Sequence, residues 1–226
     1  SVHMVQHMFL SYVMPPLALM ATPTWLARVL LGNGRVYQIV RRLTHPVAAG
    51  LIFNFCVMML HTPFLVDVAI ESGPAHYGLH IVVVLSSLLM WLPVCGPIPE
   101  FRMSTAGAMI YLFLQSVVPT VPAAWLTFAD SAIYPAYDRP VRLWGLSVTD
   151  DQQLAGAIMK MIGGMYLWAI VIYMFFKRFV GQHGESHNYR RAGRMPAAEI
   201  TGHDDFPLTT ADVEREFART APPPTD

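Results

Sequence analysis

Apolar runs of about 20 residues, separated by short polar connections, occupy most of the chain up to about position 176. They fall at roughly 3–22, 47–68, 76–95, 104–127 and 154–176, and each is long enough to cross a hydrocarbon core of about 30 Å as a helix. None alternates apolar and polar residues with period two, so none reads as a barrel strand. Lipid admits only helices and closed barrels, because backbone polar groups find no water there. The pattern therefore predicts an all-α membrane protein, a bundle of about five transmembrane helices over 1–178.

After about position 180 the pattern ends. Positions 181–226 are polar, mix both signs of charge and finish near Pro222-Pro223-Pro224. This composition predicts a largely disordered cytoplasmic tail over 179–226, with a short helix over Ala211–Arg219 behind a Thr cap. The chain opens on Ser-Val-His without a basic n-region or a small-residue cleavage site, so no signal peptide is expected. No internal repeat is visible.

Composition sharpens this picture. Hydrophobic residues make up 54% of the 226 positions and charged residues only 13%, against about a quarter in soluble domains. Half of the 30 charged residues lie in the last 50 positions, so the bundle is poorer still in charge. A net charge of zero without a basic block argues against nucleic acid as a partner. Cys56 and Cys95 are too few and too far apart for a disulfide framework or a zinc knuckle.

Basic residues set an orientation. Arg28, Arg35, Arg41 and Arg42 fill the first connection, Arg102 the third, and Lys177, Arg178, Arg190, Arg191 and Arg194 follow the last span. The second connection, near Glu71, has none, and the fourth has only Arg139 and Arg142. The positive-inside rule then places connections one and three and the C-terminus in the cytoplasm.

Against that frame the histidines fall at the outer end. At about 1.5 Å per residue, His7, His61 and His80 each lie roughly 21–22 Å from the inner surface. His3 and His76 precede His7 and His80 by four residues, which puts each pair on one helix face, one turn nearer the outside. Ionisable groups at membrane depth are costly and face the bundle interior or a wet cavity, so a two-tier imidazole cluster opening outward is expected to bind something. The bland alternative is an interfacial histidine bonded to carbonyls and headgroups.

Further polar groups cluster at the outer ends. Asp67 ends the second span, and Asp150, Asp151, Gln152 and Gln153 start the fifth, where carboxylates equally suit the positive end of a helix dipole. Thioethers favour Cu(I) and imidazole accepts copper in either state, which makes Met159, in the upper part of the fifth span, a candidate ligand, although methionine is also ordinary core filler. Pro15, Pro16, Pro63, Pro119 and Pro122 each free a carbonyl four residues back and predict kinks. Gly163-Gly164 predicts close helix packing.

The order His3-Met-Val-Gln-His7-Met, Pro15-Pro16, His45-Pro46, His61-Thr-Pro63 with Asp67, His76-x-x-x-His80, Tyr134-Pro-x-Tyr137, Trp144-Gly-Leu and Asp151-Gln-Gln-Leu-Ala-Gly156 with Met159 resembles the CtaG family of cytochrome c oxidase assembly factors over about residues 1–178. The resemblance implies a bacterial cytoplasmic-membrane protein that assists maturation of haem-copper oxidases by handling copper. Its partners would be an oxidase subunit and a copper donor protein. Carried over by position, the family's histidines correspond to His3, His7, His61, His76 and His80, and its acidic-amide motif to Asp151, Gln152 and Gln153. Leu79 and Val66 depart from the polar or sulfur residue and the aromatic common there, and Lys160 adds a cation that would repel copper if it faced the cluster. Members usually carry further membrane helices upstream.

The leading expectation is a non-enzymatic metallochaperone that takes Cu(I) at an outward-facing cluster of His3, His7, His61, His76, His80, Asp67, Asp151 and Met159. The alternatives are a haem-binding subunit, since two histidines at one depth suit bis-His ligation, or a structural subunit of a respiratory complex. No nucleophile–base pair or phosphate-cradling loop is evident.

Overall fold

The computed structural model describes residues 1–32, 34–138, 145–192 and 209–219. Arg139, Arg142 and Trp144, singled out above, lie outside the described residues. Those residues contain only helices and connections: α1 (Val2–Met8), a π-helical turn (Phe9–Val13), α2 (Met14–Ala21), α3 (Thr24–Leu31), α4 (Arg35–Leu43), α5 (Pro46–Leu60), α6 (Pro63–Glu71), α7 (Gly73–Cys95), α8 (Thr105–Val117), α9 (Thr120–Thr127), α10 (Val148–Ala192) and α11 (Thr210–Arg219).

Four described segments are long and apolar enough to cross a membrane: Val2–Ala21, Gly73–Cys95, Thr105–Thr127 and Val148–Val180. A fifth results if α4 and α5, which meet at 77°, count as one span. The chain is thus an all-α, multi-pass membrane protein. Residues Ser1–Phe179 form one compact unit and Val180–Asp226 a second. In the second, α11 starts on a reciprocal cap, Asp212 N–H donating to Thr209 Oγ1 (3.3 Å) and Thr209 N–H to Asp212 Oδ2 (3.0 Å).

Proline chemistry shapes the spans. Pro15 cannot donate to Ser11, so the helix widens into the π turn, and the Trp91 indole N–H donates to the freed Ser11 carbonyl (3.0 Å). The second span is not the continuous helix expected over 47–68. Pro63 disfavours helical backbone at Thr62 (ψ 140°), α5 stops at Leu60, and Thr62 N–H and Oγ1 both cap the freed Met59 carbonyl at 3.0 and 2.7 Å. Pro119 likewise divides the fourth span into α8 and α9.

Packing holds the bundle along its middle. Tyr12, Phe53, Met90, Trp91, Leu112 and Leu167 form the core, and α5 and α2 lie along α7. Polar side chains in this core tie helices together: Tyr111 O–H donates to the Met90 carbonyl (3.0 Å), and Asn54 Nδ2 donates to Gly50 O and Gln115 Oε1, each at 2.8 Å. Gly163 meets Met8 and Tyr12, while Gly164 has nothing within 4 Å of the place a Cβ would occupy. The Arg-rich connections share one end, where Arg28 Nη2 pairs with Glu100 (2.5 Å), Thr24 Oγ1 donates to Pro97 O (2.9 Å), and Ala27, Ile98 and Phe101 are buried together.

Candidate metal centre

The starts of α1 and α7 meet at the other end of the bundle. Four residues between histidines is one helical turn, so His3 stands over His7 and His76 over His80, and the two faces oppose each other. The rings are in mutual contact: centroids are 4.5 Å apart for His3–His7 and His76–His80, 4.9 Å for His7–His80, 5.2 Å for His3–His76 and 5.3 Å for His3–His80. His3 Nε2 and His80 Nε2 approach to 3.2 Å. One ring nitrogen from each of His3, His76 and His80 lies within 4.8 Å of the other two.

That spacing fits a metal. Bonds of about 2 Å place nitrogens of one ion about 3.3–3.5 Å apart, close to the 3.2 Å between His3 and His80, and the His76 nitrogen lies within 4.8 Å of both. The tightest group is therefore His3, His76 and His80, rather than the set at equal depth in sequence, His7, His61 and His80. His7 touches two of the three rings from one turn deeper.

His61 reaches the same cavity by a different route. It follows the last turn of α5 at the proline break, and its Nδ1–H donates to the Val57 carbonyl (2.7 Å). This fixes the tautomer and leaves Nε2 with the lone pair, the arrangement metal-binding imidazoles use. The break also exposes the His61 carbonyl, to which the Tyr134 hydroxyl donates (2.7 Å). Burial, helped by neighbouring Tyr137, pushes the Tyr134 phenol up to about 12, so it remains a donor.

The stretch Asp150-Asp151-Gln152 divides into three tasks. Asp150 pairs with Ser147 in a helix cap, with Ser147 Oγ donating to Oδ2 (2.6 Å) and Asp150 N–H to Ser147 Oγ (3.1 Å). Asp151 turns to the cavity rim, accepting from Ser1 Oγ (2.5 Å) and Ser1 N (3.0 Å). Gln152 is buried and clamps the loop before α10: Oε1 accepts from Ile133 N–H (2.9 Å), and Nε2 donates to Tyr134 O (3.1 Å). Four residues on, Gly156 lets α10 touch α9, since a Cβ there would sit 2.5 Å from Thr127 Oγ1 and 2.7 Å from Ala123 O.

The five candidate histidines and Asp151 line one cavity of about 360 Å3, with Met4, Tyr134, Tyr137, Gln152, Leu79 and Val66 also in its wall. Two sequence candidates do not. Asp67 is exposed on α6, because the restart at Pro63 turns Leu65, Val66 and Ala69 inward and leaves Asp67 on another side. Met159, only 4% exposed, packs in the core with Tyr12 and Leu167. Met4 is the thioether in the cavity wall. Lys160 faces away, its Nζ donating to Thr120 Oγ1 (2.6 Å), so its charge does not enter the imidazole cluster. Tyr134 and Tyr137 lacked a sequence signal for this position beyond the Tyr-Pro-x-Tyr spacing itself.

Fold and site together define a polytopic helical membrane protein with an imidazole-rich cavity at one end of its bundle. The family model of the cytochrome c oxidase caa3 assembly factor (Caa3_CtaG) matches residues 1–179, and the chain belongs to that family. No curated protein and no solved structure matches the chain. The protein is thus a cytochrome c oxidase assembly factor by family.

Proposed function

We propose that the cavity is a copper-loading site, in which His3, His76 and His80 hold Cu(I) as cargo for delivery to a haem-copper oxidase subunit. The observation that carries this reading is the convergence of three imidazole nitrogens within 4.8 Å. Imidazole with a neighbouring thioether, here Met4, suits Cu(I) better than a hard cation, and a cavity far larger than an ion leaves room for ligand exchange. His7 and His61 line the deeper wall and would take the ion from, or return it to, the three outer rings. The protein acts as a chaperone and not as an enzyme, with a copper donor on one side of the exchange and the oxidase on the other.

The cavity lies at the end opposite Arg28, Arg35, Arg41 and Arg42, so the positive-inside rule gives copper access from the outer face of the bacterial cytoplasmic membrane and puts the C-terminus in the cytoplasm. The haem-binding alternative loses support from the ring contacts: imidazoles packed edge to face against one another leave no flat slot between two of them for a tetrapyrrole. The test is oxidase copper in cells carrying His80→Ala. Copper in the oxidase should fall while the amount of inserted assembly factor stays constant; normal oxidase copper would overturn the proposal.

A further inference from the structure

The helix α4 has no buried residue. Its nine residues divide cleanly by angle. Tyr37 and Val40 pack on the small cluster of Ala27, Ile98 and Phe101. Val36 (56% exposed), Ile39 (55%) and Leu43 (39%) form an exposed apolar stripe beside them. Arg35, Gln38, Arg41 and Arg42 occupy the remaining arc, all exposed. Among the described residues no carboxylate lies within ion-pair distance of Arg35, Arg41 or Arg42, since Glu100 is taken by Arg28.

Geometry gives this helix its setting. It meets α5 at 77°, and α5 carries Ala49, Gly50, Phe53 and Asn54 into the bundle core. Membrane helices tilt from the bilayer normal by about 20° on average, so with α5 crossing the bilayer α4 lies close to the membrane plane. The preceding helix α3 adds Trp25 (67% exposed) at the same end, a residue type suited to the headgroup boundary.

From this we infer that α4 is a surface-lying helix that binds anionic phospholipid, with Val36, Ile39 and Leu43 among the upper acyl carbons and Arg35, Arg41 and Arg42 on the phosphates. Charge complementarity selects the occupant: three unpaired guanidiniums with no carboxylate among them favour anionic over zwitterionic headgroups. The binding secures the first connection and holds the bundle at a fixed height in the bilayer. It is independent of what the histidine cavity carries.

The full chain in nanodiscs tests it directly. Native mass spectrometry after exchange into equal phosphatidylglycerol and phosphatidylcholine should show phosphatidylglycerol retained preferentially, and Arg35→Gln/Arg41→Gln/Arg42→Gln should lose that preference, by about fivefold per arginine removed. Equal retention of the two lipids by the unaltered protein, or an unchanged preference in the triple variant, would overturn the inference. Should the variant fail to insert, spin labels decide the matter in an otherwise unaltered chain with Cys56 and Cys95 replaced by Ser. Labels at Val36→Cys and Ile39→Cys should be accessible to oxygen and shielded from aqueous nickel, and a label at Gln38→Cys the reverse. Water-exposed labels at Val36 and Ile39 would overturn it and leave the face to an acidic protein.

Discussion

His76 and His61 are two different kinds of imidazole in the wall of one cavity. His76 belongs to the trio with nitrogens within 4.8 Å, whereas His61 is held by Val57 and Tyr134 at the cavity wall. His76→Ala should therefore weaken Cu(I) binding more than the roughly 10–100-fold typical of losing an outer-shell partner, measured by competition with a chromophoric chelator. Equal affinities for His76→Ala and the unaltered protein would remove His76 from the ligand set. Tyr134→Phe should cost about tenfold or less, since it removes one hydrogen bond to the His61 carbonyl and keeps the ring. The paired histidines were legible because i, i+4 spacing dictates a shared face. The directions of Met159 and Asp67 were not legible, because depth along a span does not say which face of α10 turns Met159 into the core, and Asp67 follows the break at Pro63, which a straight-helix count does not contain. The clamp made by Gln152 was illegible for another reason: its partners lie 18 and 19 residues upstream in an irregular loop.

At the level of elements, the start of α10 acts as a unit that closes the cavity, since Ser147 and Asp150 begin the helix, Gln152 fixes the loop and Gly156 sets the approach to α9. Gly156→Ala should push α10 away from Ala123 and Thr127 and destabilise the bundle by about 1–3 kcal/mol, read as a lower melting temperature in detergent. Gly164→Ala is the matched comparison and should be neutral or slightly stabilising, because no atom lies within 4 Å of its Cβ position. Equal effects at both glycines would contradict close α9–α10 packing. Apolar run length located the spans well, since bilayer thickness fixes it. The surface helices α3 and α4 escaped that reading because a connection rich in Arg reads as a loop until its amphipathic period is resolved.

Across the whole molecule the bundle has a clipped end and an open end. The Arg28–Glu100 pair ties connection one to connection three, and the guanidinium holds the Glu100 carboxyl below the usual carboxylate range. A lowered folded-state value means that the pair contributes above the ordinary glutamate value of about 4.3 and is lost as pH falls through the folded value. Glu100→Gln should thus lower the melting temperature slightly at pH 7 and make no difference once pH is well below that range; a constant difference down to about pH 2 would show that the ion pair is not its source. The open end carries the central claim, that His3, His76 and His80 bind copper. The most direct measurement is metal analysis of purified, copper-supplied protein with its absorption spectrum and copper X-ray absorption. About one Cu(I) per chain with nitrogen ligands at about 2 Å, no Soret band, and loss of the metal in His3→Ala/His80→Ala are the expected results. A Soret band, or copper bound equally by the double variant, would contradict the claim.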